Sequence, residues 1–182
     1  MINIRTALGL AFIVLLGSWK PIENNYVTKS SVEWLTIEEA LELHSGEPRK
    51  LLVDLYTNWC GWCKVMDRET YGQADIAEYI NKNFYPVKFN AEQKASVSFR
   101  GHTFNYVSQG RRGVHELAAA LTSNRLSYPT TVFLDEELRI LQPIPGYLRP
   151  EQMDPILKYF GDNHFKTTQW VEFTAQYQAD IE

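Results

Sequence analysis

The chain of 182 residues has two cysteines, and both fall within Trp59-Cys60-Gly61-Trp62-Cys63-Lys64. Just ahead of them runs Leu51-Leu52-Val53-Asp54-Leu55-Tyr56, the pattern of a buried strand. A C-x-x-C that follows such a strand and opens a helix is suited to thiol–disulfide exchange. Backbone N–H groups at a helix start lack internal partners and, with the macrodipole, favour negative charge there. Cys60 is therefore expected to have a depressed thiol pKa and to attack as the thiolate. Cys63, one turn into the helix, is then placed to attack the resulting mixed disulfide and release the reduced partner.

Two other uses of the pair weigh less. As a structural staple it would close a loop so small that chain entropy supplies only about 2 kcal/mol. As half of a zinc site it would need two more ligands, but there is no second C-x-x-C, and His44, His102, His115 and His164 lack ligand spacing. No metal is expected. No bound cofactor is expected either, beyond the Cys60–Cys63 pair itself, since nothing resembles a nucleotide or flavin fingerprint.

The composition, 45% hydrophobic with 13% aromatic residues and a net charge of −4, is that of one globular domain able to build a sizeable core. Mild acidity without a basic stripe argues against nucleic acid as the main partner. Residues 1–18 differ: Arg5 precedes the apolar stretch Ala7 to Gly17, too short to span a bilayer comfortably, which reads as an export signal or an uncleaved membrane anchor. Residues 19–32 read as a polar linker and 33–182 as the folded domain. Export would place the cysteines in a periplasmic or secreted setting.

The elements that must hold the cysteines follow from periodicity. Thr36-Ile37-Glu38-Glu39 fits a capping box, opening a helix that ends near Gly46. Residues 50–56 form a strand; the C-x-x-C helix should turn Trp62, Val65 and Met66 to one face; Ile76, Ala77 and Ile80 mark a second helix; and Phe84 to Asn90 forms the next strand. Strand, helix and strand at this spacing make a βαβ unit with parallel pairing. Residues 91–127 suggest a hairpin, with Val97 and Phe99 before Arg100-Gly101 and Phe104 and Tyr106 after it. A helix through Val114, Leu117, Ala118 and Leu121 follows, stopping at Asn124. Thr130 to Leu134 and Leu138 to Ile144 read as an antiparallel hairpin, Met153, Ile156, Leu157 and Phe160 as a helix begun near Pro150 or Asp154-Pro155, and Trp170, Phe173 and Tyr177 as a last one.

Four ordered motifs resemble the thioredoxin-fold family. Val53 to Lys64 resembles its active-site strand and helix, Pro86 to Asn90 its next strand, Tyr128-Pro129-Thr130-Thr131-Val132-Phe133 its cis-proline segment, and Gly146 the glycine after its last strand. The resemblance covers roughly residues 33–161 and looks closest to exported bacterial members. It implies an α/β fold: a central mixed sheet flanked by helices, with an insertion at about 91–127 before the cis-proline strand. It also implies a thiol:disulfide oxidoreductase. In such a protein Asp54, a carboxylate in an otherwise apolar strand that burial should push up in pKa, takes the proton of Cys63 through water, and Lys88 tunes it. A cis Pro129 would lie against the sulfurs, and the backbone of Tyr128 would pair with an extended client. Trp59, Gly61, Trp62 and Gly146 complete the expected client surface.

The expected partners are protein disulfide clients and an upstream protein electron donor, one option being membrane-embedded, with the chain itself a monomer. The residues Gly61-Trp62 stand where thioredoxins have Gly-Pro, so the direction of electron flow does not transfer. Reduction is the leading expectation because Asp54 and Lys88 resemble the reducing branch. An oxidase or isomerase, or a non-catalytic binding module or chaperone, are the alternatives. The insertion, with Lys94, Arg100, Arg111, Arg112 and Arg125, reads either as a recognition element for an acidic client or electron donor, or as a solvated cap on a sheet edge.

Overall fold

The computed structural model describes residues 31–110 and 112–181. The segments read as an export signal and most of the linker, and also Arg111, lie outside the described residues. Alternation along the first strand organises the rest. β1 (Leu51–Tyr56) is buried almost throughout. Leu51, Val53 and Leu55 enter one hydrophobic cluster and Leu52 another, so Asp54 shares the second face. β1 lies inside a four-stranded sheet ordered β2-β1-β7-β8, with β2 at Tyr85–Asn90, β7 at Thr130–Leu134 and β8 at Ile140–Pro145. β2 runs parallel to β1, while β7 and β8 pair antiparallel, giving the expected mixed sheet.

Helices cover both faces. On one side α1 (Ile37–Gly46) contributes Ile37 and Ala40, and α4 (Glu116–Leu121) contributes Leu117, Ala118 and Leu121. On the other, α2 (Gly61–Glu69), α3 (Ala74–Asn83) and α5 (Pro150–Gly161) bring Met66, Ile76, Ala77, Ile80, Met153, Ile156, Leu157 and Phe160 against Leu52 and Phe133. Phe133 is fully buried between Phe84 and Phe160, with ring centroids 5.6 and 4.5 Å away. The capping box of α1 forms as expected, the Thr36 hydroxyl accepting from Glu39 N–H and the Glu39 carboxylate from Thr36 N–H. α6 (Trp170–Ile181) packs on α5 through Phe173, and the Lys158 ammonium binds both Asp154 and the Tyr177 hydroxyl.

Three expectations are corrected. α2 does not bury Trp62: its inward face is Cys63, Met66 and, just past its end, Thr70, and Trp62 is thrown outward onto Tyr147. The segment 91–127 holds two hairpins. β3 (Val97–Phe99) pairs with β4 (His102–Phe104) about the Arg100-Gly101 turn as expected, but Tyr106 begins β5 (Tyr106–Gln109), paired with β6 (Arg112–His115). Val114 therefore lies in β6. The helix starts only at Glu116, where the His115 imidazole accepts from Leu117 N–H and caps it. Leu138 sits in the β7–β8 turn at φ 59°, beside the Asp135 carboxylate, which accepts from the N–H groups of Glu137 and Arg139. β8 is an edge strand and carries Pro143 and Pro145.

Candidate active site

Cys60 is the N-cap of α2, and its sulfur accepts from the Cys63 N–H at 3.0 Å. The two sulfurs are joined in a disulfide. A sulfur held at a helix start by a backbone N–H is where a thiolate would be stabilised when that bond opens. Both cysteines are nearly enclosed, Cys60 at 4% exposure and Cys63 at 2%, so a client has to enter from above the loop. Between the cysteines Gly61 is exposed, and a Cβ there would meet nothing within 4 Å.

Aromatic pairs flank the C-x-x-C. Trp59 and Trp62 are each more than half exposed. Trp59 packs edge-on to Tyr128, centroids 6.0 Å apart, while Trp62 stacks on Tyr147 at 5.5 Å. The Tyr128-Pro129 peptide is cis, and Gly146 N–H donates to the Pro129 carbonyl at 2.8 Å, tying the two loops together. Gly146 does so at φ 98°, a conformation that favours glycine. The Tyr128 backbone makes no hydrogen bond among the described residues, which leaves its N–H and C=O open to an extended chain. The insertion reaches this rim: Trp59 Nε1 donates to Glu92 at 3.0 Å, and the Arg112 guanidinium lies 4.7 Å from the Trp59 ring centroid.

Beneath α2 the sheet register sets Lys88, Asp54 and Thr131 side by side on three neighbouring strands. Asp54 is buried. Its Oδ2 accepts from Lys88 Nζ at 2.5 Å, while Oδ1 has no hydrogen-bond partner among the described residues and is the oxygen open to a proton. Burial pushes the Asp54 pKa up to about 6, with Lys88 pulling it back only in part. Burial works against the Lys88 charge, but Asp54 and Asp67 together outweigh it and leave the lysine pKa raised. The buried Tyr71 closes the space, its hydroxyl 3.0 Å from the Thr131 hydroxyl.

The expected site residues fall into two groups: Asp54 and Lys88, tied to the cysteine helix through Asp67, and Cys60, Cys63, Trp59, Gly61 and Trp62 around the disulfide, with Tyr128, Pro129 and Gly146 joined to them through Trp59; Lys94 of the insertion lies instead over the Tyr106 ring. Sequence reasoning missed Asp67, Tyr71, Trp34, Glu92 and Tyr147. Asp67 did leave a signal, since it lies one helical turn beyond Cys63; the others come from separate segments with no pattern to join them. Among the described residues no three His, Cys, Asp or Glu side chains gather as a metal site.

A disulfide at the head of a helix, a cis-proline segment whose Tyr128 packs on the neighbouring Trp59, and a buried acid in β1 mark a C-x-x-C domain of thioredoxin fold. A family model described as a thioredoxin-like domain matches residues 37–161, and the chain belongs to that family. Solved structures are similar in fold. A thioredoxin-fold protein from Helicobacter pylori is 20% identical, with 72% of this chain and 81% of that one covered at a TM-score of 0.55. DsbH oxidoreductase is 16% identical, covering 78% and 92% at 0.53, and a thioredoxin from Thermus thermophilus is 17% identical, covering 71% and 87% at 0.53. The uncharacterized protein B0495.5 of Caenorhabditis elegans is 24% identical over 135 residues, 73% of this chain, which spans only 16% of that relative's length.

Proposed function

We propose that the protein is a thiol:disulfide oxidoreductase that reduces protein disulfides by dithiol exchange. The observation that carries this is the Cys60 sulfur capping α2 with the Cys63 N–H aimed at it. In the reduced protein the Cys60 thiolate attacks a client disulfide, forming a Cys60–client bond and releasing one client thiolate. Asp54 then accepts the proton of Cys63, whose thiolate attacks Cys60; the intramolecular disulfide forms and the second client sulfur leaves. The client enters as an extended segment beside Tyr128, between the Trp59 and Trp62 pairs. Electrons return from another protein dithiol, and no bound cofactor takes part. The fold neighbour DsbH is named an oxidoreductase, which agrees with this reading.

The test is dithiothreitol-driven insulin reduction. Wild-type protein accelerates it, Cys60→Ser does not, and Cys63→Ser accumulates a mixed disulfide with the client. Wild-type protein without effect refutes the proposal. A potential of about −270 mV fits reduction, whereas one of about −120 mV would reassign the enzyme as an oxidase. We place the protein outside the cytosol on the strength of Arg5 and the apolar stretch after it, to be checked by N-terminal sequencing of protein recovered from each cell fraction.

A further inference from the structure

The Lys88 ammonium has two carboxylate partners of opposite character. It donates to Asp54, whose side chain is 1% exposed, and to Asp67 Oδ1, on a side chain 42% exposed. The lysine itself is 19% exposed and lies over the rings of Trp34, Tyr56 and Tyr71 at 4.8, 5.3 and 5.7 Å, so it cannot swing freely toward either acid. Asp67 belongs to the same helix as the cysteines, one turn past Cys63. A single cation is thus divided between an inner carboxylate, buried in β1, and an outer one at the solvent boundary.

We propose that Asp67 is a positioning residue for the exchange reaction: by binding the ammonium that Asp54 also binds, it limits how much of that charge Asp54 receives, and so sets how readily Asp54 takes the Cys63 proton. This rests on the function proposed above. The proton moves from the Cys63 thiol to Asp54 Oδ1; the thiolate electron pair forms the Cys63–Cys60 bond, and the Cys60–client bond breaks toward the client sulfur. Asp67 touches none of these atoms. Its influence runs through the shared lysine and through its own negative charge, and both favour a protonated Asp54.

The groups facing Asp54 are few. From β2 comes Lys88, from α2 Asp67, from the segment after α2 the Tyr71 phenol, and from β7 the Thr131 hydroxyl. Tyr71 is held uncharged by burial, its pKa far above the ordinary value. Lys88 and Asp67 are therefore the charged residues available to set the Asp54 titration, and burial raises it while Lys88 lowers it and Asp67 raises it. Removing the Asp67 charge should leave Lys88 wholly to Asp54 and make the buried acid a weaker base.

The experiment is a carbon-13 NMR titration of the Asp54 carboxyl in the oxidised full chain, assigned with Asp54→Asn and compared among wild type, Asp67→Asn and Asp67→Glu. Asp67→Asn should move the midpoint down by at least about half a pH unit, a roughly threefold change in ionisation constant, and Asp67→Glu should restore most of it. A midpoint that stays or rises in Asp67→Asn overturns the proposal, whatever happens to stability. Should Asp67→Asn not fold, Asp67→Ser is read in the same way. The acid limb of the rate at which wild-type and Asp67→Asn protein release client from the Cys60 mixed disulfide should move with the NMR midpoint. The titration needs no turnover, so a chain inert toward insulin would sink the proposed function while leaving the divided cation to be judged alone.

Discussion

Replacing Asp54 by Asn should make the oxidised protein harder to unfold at pH 8 while changing little at pH 4. The reason is burial without full compensation: the carboxyl titrates at about 6 in the fold against an ordinary 3.8. Between those values the folded chain holds a proton that the unfolded chain has lost. Folding therefore takes up a proton, and stability falls as pH rises through this window. The penalty is nearly absent below 3.8 and complete above about 6, where it reaches about 3 kcal/mol at some 1.4 kcal/mol per tenfold in the ionisation constant. An asparagine fills the same volume and never ionises. Lys88 keeps Asp67 as a partner, so the lysine charge is not stranded. Urea unfolding of both proteins at pH 4 and pH 8 gives the free energies directly. The Asn variant should gain about 2–3 kcal/mol on wild type between the two conditions, and it should also resolve mixed disulfides more slowly. Parallel stability curves would refute the argument, since they would mean that the Asp54 charge is tolerated as well in the fold as in water.

At neutral pH, Cys60 of the reduced protein should react with iodoacetamide faster than free cysteine, because a helix start with an N–H aimed at its sulfur favours the thiolate; mass spectrometry should find Cys63 spared. Phe133→Ala should cost about 3–5 kcal/mol in chemical denaturation, as it opens a cavity between Phe84 and Phe160. Gly146→Ala has room for its Cβ but not the backbone preference, and a loss of about 1–3 kcal/mol is expected, with reduced client affinity through the shifted Pro129 loop. Arg112→Glu should change the KM for protein clients more than the rate of a small disulfide such as oxidised glutathione, because it alters the rim at Trp59 and leaves the sulfurs alone.

Much of this architecture was legible because its signals are local. β1, β2 and the β7–β8 hairpin follow from short apolar runs, α1 from a capping box, and α2 from a cysteine at its head. The readings that failed asked a periodic pattern to say more than it holds. Val114, Leu117, Ala118 and Leu121 keep helical spacing, yet the His115 side chain caps the helix after Val114, and a cap outweighs one more apolar match. Trp62 has the spacing of a core residue, but the buried stripe is centred on Cys63 and Met66, and Tyr147 offers the indole a face outside. The surroundings of Lys88 lay beyond local reading: Trp34 precedes α1, Tyr56 ends β1, and Asp67 and Tyr71 lie in and just after α2, so that only the packing of these segments on β2 brings them to one ammonium.

The outer border of β8 has a bearing on how such a protein survives its own work. A strand at the margin of a sheet offers a ladder of unused donors and acceptors, and an unfolding client is the kind of chain that would zip onto it. Pro143 and Pro145 supply no N–H, so the second half of that border is a poor template. At Tyr128, by contrast, the backbone has both its N–H and its C=O free among the described residues, and in the proposed function that is where a visiting chain docks until its sulfur bond is broken. Fidelity here is a matter of which backbone is kept silent.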